Sequence, residues 1–340
     1  MPSKVDPQPQ GKVTSLEVAA LAGVSRSAVS RVFTPGASVS EKTAEKVRRA
    51  AETLGYRPNV LARSLLTGRS RMIGLVVAYL DNHFYPGALE KLSNALQAQG
   101  YHVLIFMTGQ SDRDLDSVAE EILDYQVDGL ILASVAMTSG LAARCRAMGV
   151  PVVLFNRRQK EAGELAVVSD NYGGGRMVAE HLAAIGCTRI GHIAGWEGAS
   201  TQRDREAGFL DGLRAADLSL HAREVGDFRP ETAQEAARAM FGGADRPDGV
   251  FVANDFMAFM VMDVLRHELG LRIPDDVAVA SFDDVPTASW PTYDLTSVRQ
   301  NADAMVAATA QILIGSIEDQ PVAVLEPVQV ELVLRGSTRR

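Results

Sequence analysis

Val13-Thr14-Ser15-Leu16-Glu17-Val18-Ala19-Ala20-Leu21-Ala22-Gly23-Val24-Ser25-Arg26-Ser27-Ala28-Val29-Ser30-Arg31-Val32 is the stretch whose reading decides the front of this chain. Thr14 and Glu17 stand at the spacing of a capping box, in which the Thr caps a helix and the Glu reaches back to its amino end. Leu16, Val18, Ala19, Leu21 and Ala22 follow as the expected buried side. Gly23 ends the run and supplies a tight turn. Ser25 is placed to cap a second helix over residues 26–33, with Val29 and Val32 facing inward. Helix, short glycine turn, helix is the arrangement whose second helix enters the major groove of DNA and presents its first residues to base edges. Those residues are Arg26 and Ser27, with Arg31 about one turn on. An arginine bridging N7 and O6 of a guanine is worth roughly 1–3 kcal/mol of base discrimination. Ser25 and Ser30 suit phosphate oxygens instead.

Working outward, Ser40 caps a third helix over residues 41–54, and Gly55 stops it. Tyr56-Arg57-Pro58 reads as a non-helical joint, residues 59–66 as one or two helical turns, and Thr67-Gly68-Arg69-Ser70 as a linker. Residues 1–12 lack the apolar region of a secretory signal and read as a disordered tail. The expected division is therefore a DNA-binding domain over 13–58, a hinge and linker over 59–71, and a body over 72–336.

Charge divides the chain at the same place. The formal net charge is -8, which by itself argues against nucleic acid. Yet residues 1–71 hold 12 Lys and Arg against 5 Asp and Glu, while the remainder holds 22 against 37. A basic head on an acidic body is the pattern of a nucleic-acid-binding module joined to a domain with another task. With 46% hydrophobic and 22% charged residues in 340, the chain has material for a real core. No apolar run is long enough to span a bilayer, so no membrane partner is expected. Two cysteines, Cys145 and Cys187, exclude a disulfide framework and fit buried thiols in a reducing cytoplasm.

From Met72 short apolar runs alternate with helical patterns. Strands are expected at 73–78, 103–106, 130–133, 152–155, 190–194, 250–253 and 277–282. Helices are expected at 86–99, 112–125, 139–148, 172–185, 203–215, 231–240 and 256–269. Continuous apolar strands alternating with helices mean parallel sheets covered on both faces, and two such runs mean two doubly wound lobes. Ligands in such sheets bind beyond the carboxyl ends of the strands, so a cleft between the lobes is the default site.

The head motif, Val39-Ser40, Leu54-Gly55-Tyr56-Arg57-Pro58-Asn59, Ala62-Arg63-Ser64-Leu65 and Ile73-Gly74-Leu75 occur in that order. Over residues 13–336 the chain resembles the lactose-repressor (LacI/GalR) family of bacterial transcriptional regulators. The resemblance implies an all-α helix-turn-helix head on an α/β body like a periplasmic binding protein. It implies a repressor that pairs as a homodimer on double-stranded operator DNA, under control of a small effector. It puts Arg26, Ser27 and Arg31 on base edges and makes residues 59–66 a hinge helix. In that hinge Asn59 and Ala62 join the DNA contacts, and Leu65 is the minor-groove wedge. A paired wedge unstacks a central base step, at a cost of a few kcal/mol offset by contacts the bend permits.

In the cleft the resemblance points to Phe84 or Tyr85 for stacking, to Arg157, to Asp170 or Asn171, and to Arg205. It points further to Asn254, to Asp283 as acceptor for vicinal hydroxyls, and to Trp290 at the rim. Asn156 departs from the family's aspartate, which puts one hydroxyl acceptor in doubt. Asp284 reads as structural. Two arginines aimed at one cleft suit a carboxylate or phosphate, which tilts the expectation from a sugar toward a sugar acid. Gly173-Gly174-Gly175 fits close packing at a helix start, not a nucleotide loop, and no cofactor is expected. Adjacent Asp283 and Asp284 diverge on a strand end, the six histidines lack metal spacing, and no nucleophile elbow occurs. Neither catalytic nor metal-ligating residues are expected. The body alone also permits a sugar-binding protein with no DNA role; the basic head argues against it. No heptad helix is appended after the body, which favours a dimer over a tetramer.

Overall fold

Helix α1 (Ser15–Ala22) opens on the capping box read from the sequence: in the computed structural model Glu17 Oε2 accepts from the Thr14 backbone N–H at 2.7 Å. The structure describes residues 13–34, 37–57, 69–78, 80–108, 118, 121–135, 137–159, 165–322 and 326–339. The expected tail, the hinge turns with Asn59, Ala62 and Leu65, and most of the helix expected at 112–125 lie outside the described residues. The chain divides into two compact units, Met1–Ser70 and Arg71–Arg340.

In the first unit Gly23 takes the left-handed conformation at φ 66° and turns the chain into α2 (Arg26–Val32), which Ser25 caps. Ser40 caps α3 (Glu41–Leu54), and Gly55 ends it at φ 66°. Val18, Ala19, Val29, Val47, Ala50 and Ala51 form the core. The sequence reading placed Leu16 and Leu21 in that core as well. The structure corrects this: within the fold they are 65% and 55% exposed. At about 100° per residue, Val18, Ala22 and Ala19 span one arc, and each leucine falls roughly 60° outside it. Packing on only two neighbouring helices covers no wider arc.

The second unit holds two sheets. In the first lobe β1 (Met72–Val77), β2 (His102–Met107), β3 (Gly129–Ala133), β4 (Val152–Phe155) and β5 (Leu165–Val167) lie in the order β2-β1-β3-β4-β5, all parallel. Helices α4 (Phe84–Ala98) and α5 (Ser139–Met148) belong to it. The second lobe continues with α6 (Asn171–Ala184), β6 (Ile190–Ala194), α7 (Ser200–Ala215), β7 (Leu220–Val225) and α8 (Pro230–Phe241). It goes on through β8 (Gly249–Val252), α9 (Asp255–Asp263), β9 (Ala278–Asp283) and β10 (Thr296–Gln300). Helix α10 (Ala302–Ile317) then returns to pack on α4 in the first lobe, before β11 (Val330–Val333) joins the second sheet. That sheet has the order β11-β10-β9-β8-β6-β7, with β11 alone antiparallel. Cys145 and Cys187 are both buried, and they form no disulfide with each other.

The chain thus passes between the lobes after β5, after β10 and again ahead of β11. These crossings touch: Val328 N–H donates to Val168 O at 2.8 Å, and Ser169 Oγ–H to Gln300 Oε1 at 2.7 Å. The sequence reading did not extend to β5, β7, β10, α10 or β11. β5 is three residues long, β7 is an edge strand reading Leu-His-Ala-Arg-Glu-Val, and β10 carries Thr, Ser, Arg and Gln. The apolar run of β5 is too short to stand out, and β7 and β10 show none. The helix expected over 256–269 is α9 running into a π-helical turn, Val264–Glu268.

Helices α6 and α7 lie unusually close because glycines face each other's backbone. A Cβ on Gly208 would overlap the Tyr172 carbonyl oxygen, and one on Gly175 the Arg205 carbonyl oxygen. This fits the packing role read for the triple glycine. Gly208→Ala is expected to cost about 1–3 kcal/mol in urea unfolding, since the backbones must part. Gly87→Ala on α4, where a Cβ meets nothing within 4 Å, should instead gain about 0.5–1 kcal/mol. Equal effects of the two would overturn this account.

Candidate functional site

Two places in the fold gather the residues singled out from the sequence. The first is the outer face of α2. Ser25 Oγ accepts from the Ala28 N–H at 3.2 Å and lies 2.9 Å from Ser27 Oγ. Val29, fully buried, fixes the helix's inner side. Arg26, Ser27, Ser30 and Arg31 are all exposed, and the pairs 26/30 and 27/31, four apart, stand one above the other on the helix. Arg26 Nε–H donates to Ser15 Oγ at 3.1 Å, and Arg31 Nε–H to the Ser27 carbonyl at 3.4 Å. Neither arginine has a carboxylate partner among the described residues. The one acid nearby in sequence, Glu17, is occupied: hydrogen bonds from Thr14 hold its carboxyl below the usual value.

The second place is the cleft between the lobes. Asn82, Tyr85, Ser134, Asn156 and Arg157 line it from the first lobe; Thr201, Arg205, Phe228, Asn254 and Asp283 line it from the second. Ser134, Asn156, Asn254 and Asp283 lie at or just past the carboxyl ends of β3, β4, β8 and β9, where an open parallel sheet leaves polar backbone and side chains to converge. The space left between these residues is about 20 Å³, room for roughly one water. The lobes are held shut from both sides. Asn82 Nδ2–H donates across the cleft to Asp283 Oδ2 at 3.1 Å, and Arg158 reaches Asp204 Oδ2 at 2.9 Å.

Arg205 organises the second-lobe wall. Its Nε–H donates to Asn171 Oδ1 at 2.9 Å, Nη1–H to the Ala253 carbonyl at 2.5 Å, and Nη2–H to Asp283 Oδ1 at 3.3 Å. The guanidinium lies 3.7 Å above the Phe282 ring. Asp283 also accepts from Gln300 Nε2–H at 2.7 Å. It sits at φ 118° and Asp284 at φ 52°, two left-handed residues in a row that aim one carboxylate at the cleft and the other away. Asp284 pairs with Arg299 and Arg335, each at 2.6 Å. Burial pushes the Asp283 carboxyl up, against the pull of Arg205, Asn82 and Gln300. Asp255, fully buried beside it, accepts from Ser297 Oγ–H at 2.6 Å and the Val285 N–H at 2.9 Å. Burial and the neighbouring Asp283 push its carboxyl up to about 8. Among the described residues no group of three or more His, Cys, Asp or Glu is placed to hold a metal.

Comparison with known proteins now decides the family. A family model described as bacterial regulatory proteins, lacI family, matches residues 15–59, and a periplasmic binding protein-like domain matches 179–338. The ribose operon repressor of Halalkalibacterium halodurans is 31% identical over 328 residues, 96% of this chain and 97% of that one. This chain belongs to the lacI family of bacterial regulatory proteins. Among solved structures, the Lac repressor dimer bound to operator and the anti-inducer ONPF superposes with a TM-score of 0.87 at 27% identity, covering 96% of this chain and 99% of that one. The complex of the transcriptional regulator CelR with cellobiose gives 0.70 at 31% identity, covering 96% and 100%. The lacI-family chain described here is a DNA-binding transcriptional regulator, not an enzyme.

Of the effector residues expected from the sequence, the fold of this lacI-family body brings Tyr85, Arg157, Arg205, Asn254 and Asp283 together at the cleft. It does not bring Phe84, Asp170 or Trp290 there. Phe84 packs in the core, stacked on Phe155 with ring centroids 6.4 Å apart. Asp170 caps α6, accepting from the Gly173 N–H at 2.8 Å; its neighbour Asn171 meets Arg205 instead. Trp290 is 58% exposed and lines no part of the cleft. The sequence reading missed Ser134, Thr201, Phe228 and Gln300. Phe228 follows Gly226-Asp227 just beyond β7, with Asp227 and Phe228 both at positive φ, 55° and 57°. Unassisted, a bulky residue rarely accepts that conformation. Its ring is seated over Gly195, where a Cβ would overlap it.

Proposed function

We propose that this lacI-family protein is a transcriptional repressor that binds double-stranded operator DNA in the cytoplasm as a homodimer. A sugar or sugar acid held between its lobes sets its grip on the DNA. The observation that carries the reading is the exposed Arg26, Ser27, Ser30 and Arg31 face of a helix that follows a left-handed glycine turn. Arg26, Ser27 and Arg31 read base edges, while Ser25 and Ser30 meet phosphates. Asn59, Ala62 and Leu65 extend the contact into the minor groove. Pairing of two copies matches the dimer of the Lac repressor structure and the half-site logic of helix-turn-helix proteins. It is also supported by edge strand β2, where Ile105 and Met107 leave 54% and 50% of their surface exposed. Among the described residues no helix is long and apolar enough to cross a membrane.

Control by ligand follows from the cleft. The CelR structure holds cellobiose, and the ribose operon repressor is named for a sugar operon. Here the Asn82–Asp283 bond closes the lobes, and a ligand's hydroxyls would replace it, so the ligand favours one lobe angle over another. DNA affinity then changes because one body conformation binds the ligand better. The test is a gel shift with duplexes from the protein's own promoter. Arg31→Ala should weaken the preferred duplex by about 1–3 kcal/mol and relax the preference at one base position. An unchanged preference would remove the base-reading role; absence of any salt-sensitive duplex binding by the wild type would remove the repressor reading.

A further inference from the structure

We infer that the molecule taken between the lobes is a polyhydroxylated oxyanion, a sugar acid or sugar phosphate, whose negative group lies against Arg157. This rests on the cleft being the effector site.

The sequence alone offered two arginines for such a group, and the structure separates them. Arg205 is spent. Its three donor directions go to Asn171, Ala253 and Asp283, and the Asp283 carboxylate cancels its charge. Arg157 has nothing equivalent. It is only 6% exposed, no carboxylate pairs with it among the described residues, and its Nε–H is buried with no hydrogen-bond partner. Among the described residues its one compensation is the Trp196 ring, 5.2 Å from the guanidinium carbon. The next residue shows the contrast, since Arg158 has Asp204 at 2.9 Å. A buried charge without a counter-charge is costly, and proteins place one where a ligand will complete it.

The surroundings sharpen the class of ligand. Asn156, beside Arg157, has its Oδ1 buried and unpartnered, an acceptor awaiting a hydroxyl. Across the cleft Asp283 is the other hydroxyl acceptor, and Phe228 offers an apolar face. Asp255, with its carboxyl pushed up to about 8, holds its proton at neutral pH and adds no negative charge. Among the described residues the cleft therefore keeps one unbalanced positive charge, located at Arg157. A neutral sugar would leave that guanidinium buried and unmatched. A carboxylate or phosphate takes two of its N–H groups at once.

The experiment uses the full chain and a panel of neutral pentoses and hexoses, each beside its aldonate and its terminal phosphate. Thermal unfolding should rise with at least one acidic member and stay unmoved by the neutral sugar of the same set. A response confined to aldonates assigns a carboxylate, and one confined to phosphates assigns a phosphate. In calorimetry Arg157→Gln should weaken the active acid by at least about 30-fold, the loss expected when one partner of a buried hydrogen-bonded charge pair is removed. Its ligand-free melting temperature should be no lower than wild type, because an uncompensated charge has gone. The inference is overturned by a panel in which no acidic member shifts unfolding. Wild-type acid binding by Arg157→Gln, or a ligand-free melting point several degrees down, overturns it too. Release of operator by a neutral sugar alone would sink this inference and leave the repressor reading intact. Acid binding by a protein that grips no duplex would do the reverse.

Discussion

Arg205→Ala should lose about 3–5 kcal/mol of stability at neutral pH, the largest effect expected of any single change in the cleft. The reason is what the substitution leaves behind. Asp283 keeps its burial and loses its counter-charge, while Asn171 Oδ1 and the Ala253 carbonyl each lose a donor. The void over the Phe282 ring adds a packing loss. Burial already pushes the Asp283 carboxyl up with the arginine present. Without it the carboxyl rises further and takes a proton more readily, so the deficit of the variant should shrink as pH is lowered. Arg205→Lys keeps the charge but cannot span three acceptors in one plane, and should recover only part of the loss. The double variant Arg205→Met with Asp283→Asn should be less damaged than Arg205→Ala, since no buried charge is stranded. Urea unfolding at two pH values measures all of this. A loss below about 1 kcal/mol for Arg205→Ala would show that the pair is not the keystone of this wall.

Asp255→Asn should stabilise the protein in mild alkali and do little in acid. In the unfolded chain Asp255 ionises near 3.8, and in the fold near 8. Between those values the fold keeps a proton that the unfolded chain has lost. The stability this group contributes is complete below its unfolded value and falls as pH rises toward about 8. The slope approaches about 1.4 kcal/mol per pH unit for one group. Asp283, raised in the same direction, contributes with the same sign. Asparagine cannot ionise, and its carbonyl can still accept from Ser297 or the Val285 N–H. The advantage of Asp255→Asn over wild type should therefore widen steadily from pH 5 to pH 8.5 in chemical unfolding. A gap that does not change with pH would show that Asp255 is ionised throughout.

Features set by near neighbours in the chain are legible in the sequence. The capping box at Thr14, the serine caps at Ser25 and Ser40, and the glycine stops at Gly23 and Gly55 depend on neighbours three or four residues away, so spacing alone reveals them. The same holds for Arg31, because helical periodicity places it opposite Val29, while Arg26, three residues before Val29, is exposed as the first residue of α2. Strand β4 carries an uninterrupted apolar run, β6 one broken only by Gly191 and His192, and the bounds of both are legible to the residue. Leu16 and Leu21 show the limit. Their apolar character says they can be buried, but only the angle subtended by two packed helices says whether they are.

The sequence by itself determined a helix-turn-helix head, a basic front on an acidic rear, and a body of two wound sheets with ligand-binding candidates at strand ends. These are properties of short windows and of composition, where each residue's contribution is set by chemistry and period. Only the tertiary structure decided which charges are cancelled. Arg205 and Asp283 lie 78 residues apart, and Asn82 and Asp283 lie 201 apart. No local pattern encodes such a pairing. It arises because parallel strands bring their carboxyl ends to one edge and two lobes bring two such edges face to face. That convergence left Arg205 matched and Arg157 without a carboxylate partner among the described residues, placed Phe228 in the cleft, and kept Phe84, Asp170 and Trp290 out of it.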